Sequence, residues 1–161
     1  MNIYLSIGSN LGDREKNLFE AFKRIKEIGY AKGSHIYESE PWGVKGQGNF
    51  LNAAIKLITD IEPIELLDRT NFIELEMGRK NKGDSSPRII DIDIILMGYI
   101  IYMDKRLTVP HKKFRDRNFV LIPLNELGSD EVDPVTGYTI SELLERCNDK
   151  GMVWETGILL Q

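Results

Sequence analysis

Ile89-Ile90-Asp91-Ile92-Asp93-Ile94-Ile95-Leu96-Met97 is a nearly unbroken apolar run interrupted by two aspartates. It reads as a strand, and residues two apart in a strand share a face. Asp91 and Asp93 therefore project together, while Ile90, Ile92 and Ile94 pack on the other side. This strand closes a series that begins at the N-terminus. Residues 2–8 alternate Ile3, Leu5 and Ile7 against Asn2, Tyr4 and Ser6, a strand pattern. Gly8-Ser9-Asn10-Leu11-Gly12 is a turn, and Asp13 caps a helix running to about Glu27 with Leu18, Phe19, Phe22 and Ile25 on its apolar side. A second strand is expected at 34–38 and a third at 50–59. Pro63 suits the first turn of a second helix ending near Met77, with Gly78 as its stop. The order strand–helix–strand–strand–helix–strand is the ferredoxin-like double split unit. It predicts an α+β fold, an antiparallel sheet with helices packed on one face and active-site loops on the other. Beyond it, Tyr99 to Tyr102 is expected to pair beside the last strand as a hairpin, with short helices at 118–127 and 140–147.

The 161 residues fit one domain with a sizeable core. A formal net charge of −4 argues against general affinity for nucleic acid or membranes. Cys147 is the only cysteine, which excludes an intrachain disulfide and a cysteine metal cluster. The first residues form a strand pattern rather than a signal peptide, and no apolar stretch approaches bilayer length. A cytoplasmic monomer is the expectation.

The aspartate pair carries the chemistry. Two carboxylates side by side repel each other, and a divalent cation relieves that cost. Hard oxygen ligands suit magnesium, which keeps several waters and is completed by substrate phosphates. A solvated sheet face, or an ion pair with a nearby basic residue, is the competing explanation. The neighbourhood favours phosphate: Arg79, Lys80, Lys82 and Arg88 stand against the single acid Asp84 in residues 79–88. A second basic stretch holds Lys105, Arg106, His111, Lys112, Lys113, Arg115 and Arg117. His111 can donate to a phosphate or carry a proton. The Gly8–Gly12 turn lacks the lysine ending of a P-loop and the spacing of a dinucleotide fingerprint. Asn52 interrupts the apolar run of 50–59, so it bonds either backbone or the edge of a flat heterocycle. Phe50, Trp42 and Phe119 are candidate stacking faces. His35 reads as structural.

Five strings occur together in one family. They are Gly8-Ser9-Asn10-Leu11-Gly12, Phe50-Leu51-Asn52-Ala53-Ala54, Ile73 through Arg79, Pro87-Arg88-Ile89-Ile90-Asp91-Ile92-Asp93-Ile94, and Leu107-Thr108-Val109-Pro110-His111 continuing through Arg117-Asn118-Phe119. In order and spacing, roughly residues 3 to 127 resemble hydroxymethyl-dihydropterin pyrophosphokinase. The resemblance implies transfer of diphosphate from ATP to the hydroxymethyl group of a reduced pterin, with release of AMP. It implies Asp91 and Asp93 as ligands of two magnesium ions (Mg2+), and Arg79, Arg88, Asp91 and Asp93 as the catalytic set. It further implies ATP contacts from Asn71, Glu74, Arg79, Arg88, Ile94, Arg106, Thr108, His111 and Arg117. Pterin contacts are implied for Ser39, Glu40, Trp42, Phe50, Asn52, Asp91 and Phe119.

The chain departs from the common family pattern at several positions. Ser85 and Ser86 stand where Trp-Gly is frequent, Phe50 and Lys112 where tyrosine is common, and Lys80 or Lys82 takes the place of a loop arginine. Three rival activities remain at this level: a ferredoxin-like RNA-binding module, a metal-dependent nucleotidyltransferase, and a regulatory ligand-binding domain.

Overall fold

Alternation places β1 (Asn2–Ser9) at the centre of the molecule, hydrogen-bonded on both sides. The computed structural model describes residues 1–41, 46–79 and 86–161. Ile3, Leu5 and Ile7 are buried toward α1 (Arg14–Ile25) and α2 (Pro63–Glu76), and Tyr4 toward the opposite face. The Asp13 side chain accepts from Lys16 N at 3.1 Å and starts α1, whose Leu18, Ala21, Phe22 and Ile25 are buried. Pro63 opens α2, and Gly78, at φ 96°, ends that region in a conformation costly for any other residue.

β4 (Phe50–Ile58) and β5 (Asp91–Met97) flank β1, both antiparallel to it. β3 (His35–Ser39) follows β4, giving the order β5-β1-β4-β3 expected of the double split unit. The β1–β5 register shifts at Tyr4 and Leu5, which leaves Ile95 as an extra residue. Ile92 and Ile94 consequently pack with α1 and α2, while Ile95 and Leu96 join the cluster on the other face.

Four features depart from the sequence-based expectations. The expected strand at 34–38 is preceded by β2 (Tyr30–Gly33), which also pairs with β4. Tyr30 and Lys32 are exposed, so β2 carries no apolar alternation to reveal it. A Cβ on Gly33 would collide with the backbone of Leu160, so glycine lets the C-terminal chain cross here. That chain forms β8 (Val153–Leu159), an edge strand against β3 whose half-exposed residues lack a strand signal.

The expected hairpin at 99–102 forms elsewhere. β6 (Tyr102–Met103) pairs with β7 (Thr108–Val109), because Asp104 builds the turn. Asp104 accepts from Arg106 N at 2.7 Å, Leu107 N at 2.8 Å and the Tyr102 hydroxyl at 2.6 Å.

Helices on one face describes α1 and α2 only. α3 (Asn118–Gly128) and α4 (Ile140–Arg146) cover part of the opposite face, where Val120, Leu121, Leu124, Ile140 and Leu143 pack with Tyr4, Ala54 and Phe114. The apolar stripe of α3 needs its own surface to bury. The active-site loops share that face with it.

The loop between α3 and α4 is organised by Asp133, which is fully buried. Its carboxylate accepts from Arg115 Nε at 2.6 Å, Arg115 Nη2 at 3.0 Å, Thr136 Oγ1 at 2.7 Å and Val135 N at 3.1 Å. Burial pushes this carboxyl up, but the Arg115, Thr136 and Val135 bonds outweigh it and hold it below the usual range. A folded value below the unfolded one stabilises the protein above the unfolded value, and that contribution is lost as pH falls through the folded value. Asp133→Ala should therefore cost about 3 kcal/mol in urea unfolding at pH 7. The gap to wild type should narrow below about pH 4. A gap unchanged down to pH 3 would contradict this reading.

Candidate active site

One row across the sheet sets the site. Asp91 lies opposite Gly8, Gly8 opposite Asn52, and Asn52 opposite Tyr37. The next row places Asp93 opposite Ser6 and Ser6 opposite Ala54. The strand period puts Ser6, Gly8, Asn52, Asp91 and Asp93 on the face shared with α3. A Cβ on Gly8 would lie 3.0 Å from Asn52 Oδ1, so glycine leaves an open floor between Asn52 and the two aspartates.

Walls rise around this floor to form a cleft of about 570 Å3, part of it open to solvent. Ser39 and Glu40, at the end of β3, form one side. Arg88 stands on the other side with the aspartates, and Phe50, Arg117, Phe119 and Val120 close the rest. The Arg88 guanidinium lies 5.7 Å from the centre of the Phe50 ring, and that of Arg117 lies 5.8 Å from Phe119. Asn52, only 3 % exposed, donates from Nδ2 to Ser39 Oγ at 2.6 Å. That bond fixes which way its amide faces.

Arg88 is held through its backbone by Asn10. Asn10 Oδ1 accepts from Arg88 N at 2.7 Å, and Asn10 N donates to Arg88 O at 3.1 Å. The same side chain donates to Gln47 Oε1 at 3.0 Å. The side chain of Arg88 reaches Asp91 Oδ2 at 3.7 Å.

Arg79, at the start of the basic stretch, is turned inward. Its guanidinium is buried, donating to Glu74 Oε2 and Asp91 Oδ1, both at 2.5 Å, and to Ile90 O at 3.3 Å. Burial disfavours its charge, but Asp91 and Glu74 more than compensate and raise its pKa. Arg79 thus stays cationic and clamps one oxygen of Asp91. Glu74, implied as a nucleotide contact, is buried against Arg79. Ile94 is 3 % exposed with its side chain in the α1–α2 core, so it can meet a nucleotide only through its backbone on edge strand β5.

His111 N donates to Ile95 O at 3.0 Å, which docks the second basic stretch on the outer edge of β5. Its Nδ1 accepts from Lys113 N at 3.1 Å, leaving the proton of a neutral ring on Nε2. Nε2 lies 3.9 Å from Asp93 Oδ2. Farther out, Arg106 pairs with Asp68 of α2, Thr108 sits on β7, and Asn71 follows one turn after Asp68. Asn71 Oδ1 is buried and has no hydrogen-bond partner among the described residues. Asn71, Arg106 and Thr108 therefore mark a second zone toward α2 and β7, separate from the residues that line the Asn52 cleft. Trp42, Lys80, Lys82 and Ser85 lie outside the described residues.

Among the described residues no group of three or more His, Cys, Asp or Glu side chains that could hold a metal ion occurs, and the aspartate pair is the candidate donor set. Both carboxylates are about a quarter exposed, at 22 % and 24 %. Two hard oxygen donors on an open polar floor fit magnesium, which takes its other ligands from water and phosphate; they do not make a closed site for zinc or calcium.

Sequence reasoning missed Ser6, Gly8, Asn10 and Val120. The alternation that grouped Asp91 with Asp93 also groups Ser6 with Gly8, but only the register brings the two pairs together.

A family model described as 7,8-dihydro-6-hydroxymethylpterin-pyrophosphokinase (HPPK) matches residues 4–129. A 2-amino-4-hydroxy-6-hydroxymethyldihydropteridine pyrophosphokinase of Aquifex aeolicus is 40% identical over 134 residues, covering 83% of this chain and 84% of that protein. The Haemophilus influenzae protein of the same name is 36% identical over 153 residues, covering 93% of this chain and 95% of that protein. Folic acid synthesis protein fol1 of Pneumocystis carinii is 41% identical over 149 residues; 91% of this chain aligns, but it spans only 20% of that longer protein. The crystal structure of Plasmodium falciparum HPPK-DHPS wild type with pteroate superposes with a TM-score of 0.68 at 16% identity, over 90% of this chain and 42% of that one. That likeness establishes the fold.

Proposed function

The chain belongs to the 7,8-dihydro-6-hydroxymethylpterin-pyrophosphokinase family, and from this membership and the cleft we propose that it transfers diphosphate from ATP to 6-hydroxymethyl-7,8-dihydropterin, releasing AMP, in folate biosynthesis. The observation that supports this reading is the row Asp91–Gly8–Asn52, which sets the Asn52 amide across an open floor from Asp91, with Asp93 in the next row.

The pterin lies on that floor in this reading. Asn52 and the backbone around Ser39 and Glu40 meet its polar edge, and Phe50 and Phe119 bound its faces. The hydroxymethyl group then points toward Asp91 and Asp93. These two carboxylates would hold magnesium, two ions in our reading, which when bound neutralises phosphate charge and orients phosphate oxygens. Arg79 fixes Asp91 so that its second oxygen faces the cleft. Arg88, His111 and Arg117 stabilise charge on the phosphates, with the nucleotide extending toward Asn71, Arg106 and Thr108. The hydroxymethyl oxygen bonds to the β-phosphorus as the bond from that phosphorus to the α–β bridging oxygen breaks, and AMP departs. The hydroxyl proton passes to a neighbouring carboxylate or to water.

The sheet faces disfavour the RNA-binding alternative, because α1 and α2 cover one and α3 and α4 part of the other. No helix among the described residues is long and apolar enough to cross a membrane. We take the working form to be a single catalytic domain, monomeric and cytoplasmic.

Titration calorimetry with the pterin and a non-hydrolysable ATP analogue tests the two-zone arrangement. Asn52→Ala should raise the pterin Kd about 10²-fold and leave that of the ATP analogue within about twofold. An unchanged pterin Kd would remove Asn52 from the pterin site.

A further inference from the structure

The matched family region ends at residue 129, yet the chain beyond it returns to the cleft. α3 begins without a cap of its own: Arg117, the residue before it, is extended and makes no side-chain capping bond. Asp149 supplies what is missing. Its Oδ2 accepts from Asn118 N at 3.1 Å, while Asn118 Nδ2 donates to Asp149 O at 3.3 Å and Gly151 O at 2.8 Å. Asp149 Oδ1 accepts from Gly151 N at 2.9 Å, which holds the carboxylate in place. The next residue, Met152, reaches the opposite wall. Met152 N donates to Glu40 Oε1 at 2.9 Å, Glu40 N donates to Met152 O at 3.3 Å, and Val153 pairs with Ser39.

We propose that residues 149–153 form a strap that sets the width of the pterin cleft, with Asp149 as a positioning residue acting through Asn118 on Phe119. A carboxylate at a helix N-terminus satisfies an orphan N–H and opposes the helix dipole. Phe119 follows the capped residue directly and lines the cleft. Without the cap the first turn of α3 frays, the Phe119 ring spends less time in the binding arrangement, and apparent affinity falls by the lost fraction. Arg117, on the other side of the capped residue, is tied to both elements: its N–H donates to Phe114 O at 3.3 Å, and its carbonyl accepts from Val120 N at 3.1 Å and Leu121 N at 3.0 Å. The bond to Phe114 holds Arg117 from outside the helix, so the pterin side of the cleft takes the larger effect. This inference rests on the pterin reading of the cleft.

The experiment compares wild type, Asp149→Ala and Asp149→Asn by thermal melting, by calorimetric titration with the pterin and separately with the ATP analogue, and by steady-state kinetics. Asp149→Ala is expected to weaken pterin binding and raise pterin KM about tenfold, with the ATP analogue and kcat within about twofold. Asp149→Asn keeps a capping oxygen and should restore most of the loss. Equal pterin affinity in Asp149→Ala, an equal loss for the ATP analogue, or a lower kcat at unchanged KM would each overturn the proposal. If Asp149→Ala does not fold, Asn118→Ala, which removes only the two Nδ2 bonds to the strap, should show the same pterin-specific loss; equal pterin affinity there would overturn it. A wild type that fails to bind the pterin removes the functional reading and this inference together. A wild type that binds it while the variants match it removes this inference alone.

Discussion

Asp91→Ala and Asp93→Ala should each lower kcat by about 10³-fold while the protein stays folded. The two carboxylates are the proposed magnesium donors, and strand geometry turns each toward the cleft that Gly8, Arg88 and Arg117 also line. Removing either leaves a single carboxylate to hold the divalent cation against repulsion among phosphate oxygens. The fold should survive for a specific reason in each case. Asp93 is partly exposed, so its loss uncovers little. Asp91 is clamped by Arg79, but Arg79 keeps its bond to Glu74 when Asp91 is gone. Kinetics under saturating magnesium, with unfolding curves measured alongside, check both halves. Near-normal turnover in either variant would show that the pair is structural.

Arg79→Met should destabilise the protein by about 3–5 kcal/mol, well beyond the loss of an exposed ion pair. Glu74 is 3 % exposed, and the variant leaves its carboxylate buried without the Arg79 cation. The same change releases Asp91, so activity should fall about 10²-fold as well. The two effects can be separated. Adding Glu74→Met removes the buried charge, so the double variant should recover most of the stability, as apolar replacements of buried ion pairs often do. It should not recover activity, because Asp91 still lacks its clamp. Urea unfolding and kcat/KM on the single and double variants give the answer. A stable single variant, or a double variant as active as wild type, would show that Arg79 does not orient Asp91.

The sequence made the central elements legible because each carries its own local signal. Ile3, Leu5 and Ile7 alternate, Asp13 caps α1, Pro63 opens α2, and Gly78 follows it. The shared face of Asp91 and Asp93 follows from strand geometry alone. What stayed hidden depends on contacts distant in sequence. β2 and β8 lie toward one edge with exposed side chains, so nothing in their composition demands a strand. The cover that α3 gives the second face cannot be read from its stripe, which any apolar surface would satisfy. The resemblance implied Arg79 as a phosphate contact, but its burial between Glu74 and Asp91 depends on packing that the sequence does not display. Gly8 read as the last strand residue at the start of a turn, and nothing local showed that its missing side chain leaves the floor open.

The most direct test of diphosphate transfer is the identity of the nucleotide product. The protein is incubated with magnesium, ATP and 6-hydroxymethyl-7,8-dihydropterin, and the products are separated by chromatography. AMP should form in equal amount to pterin diphosphate, and none should form when the pterin is left out. ADP, free diphosphate, or AMP formed without the pterin would contradict it.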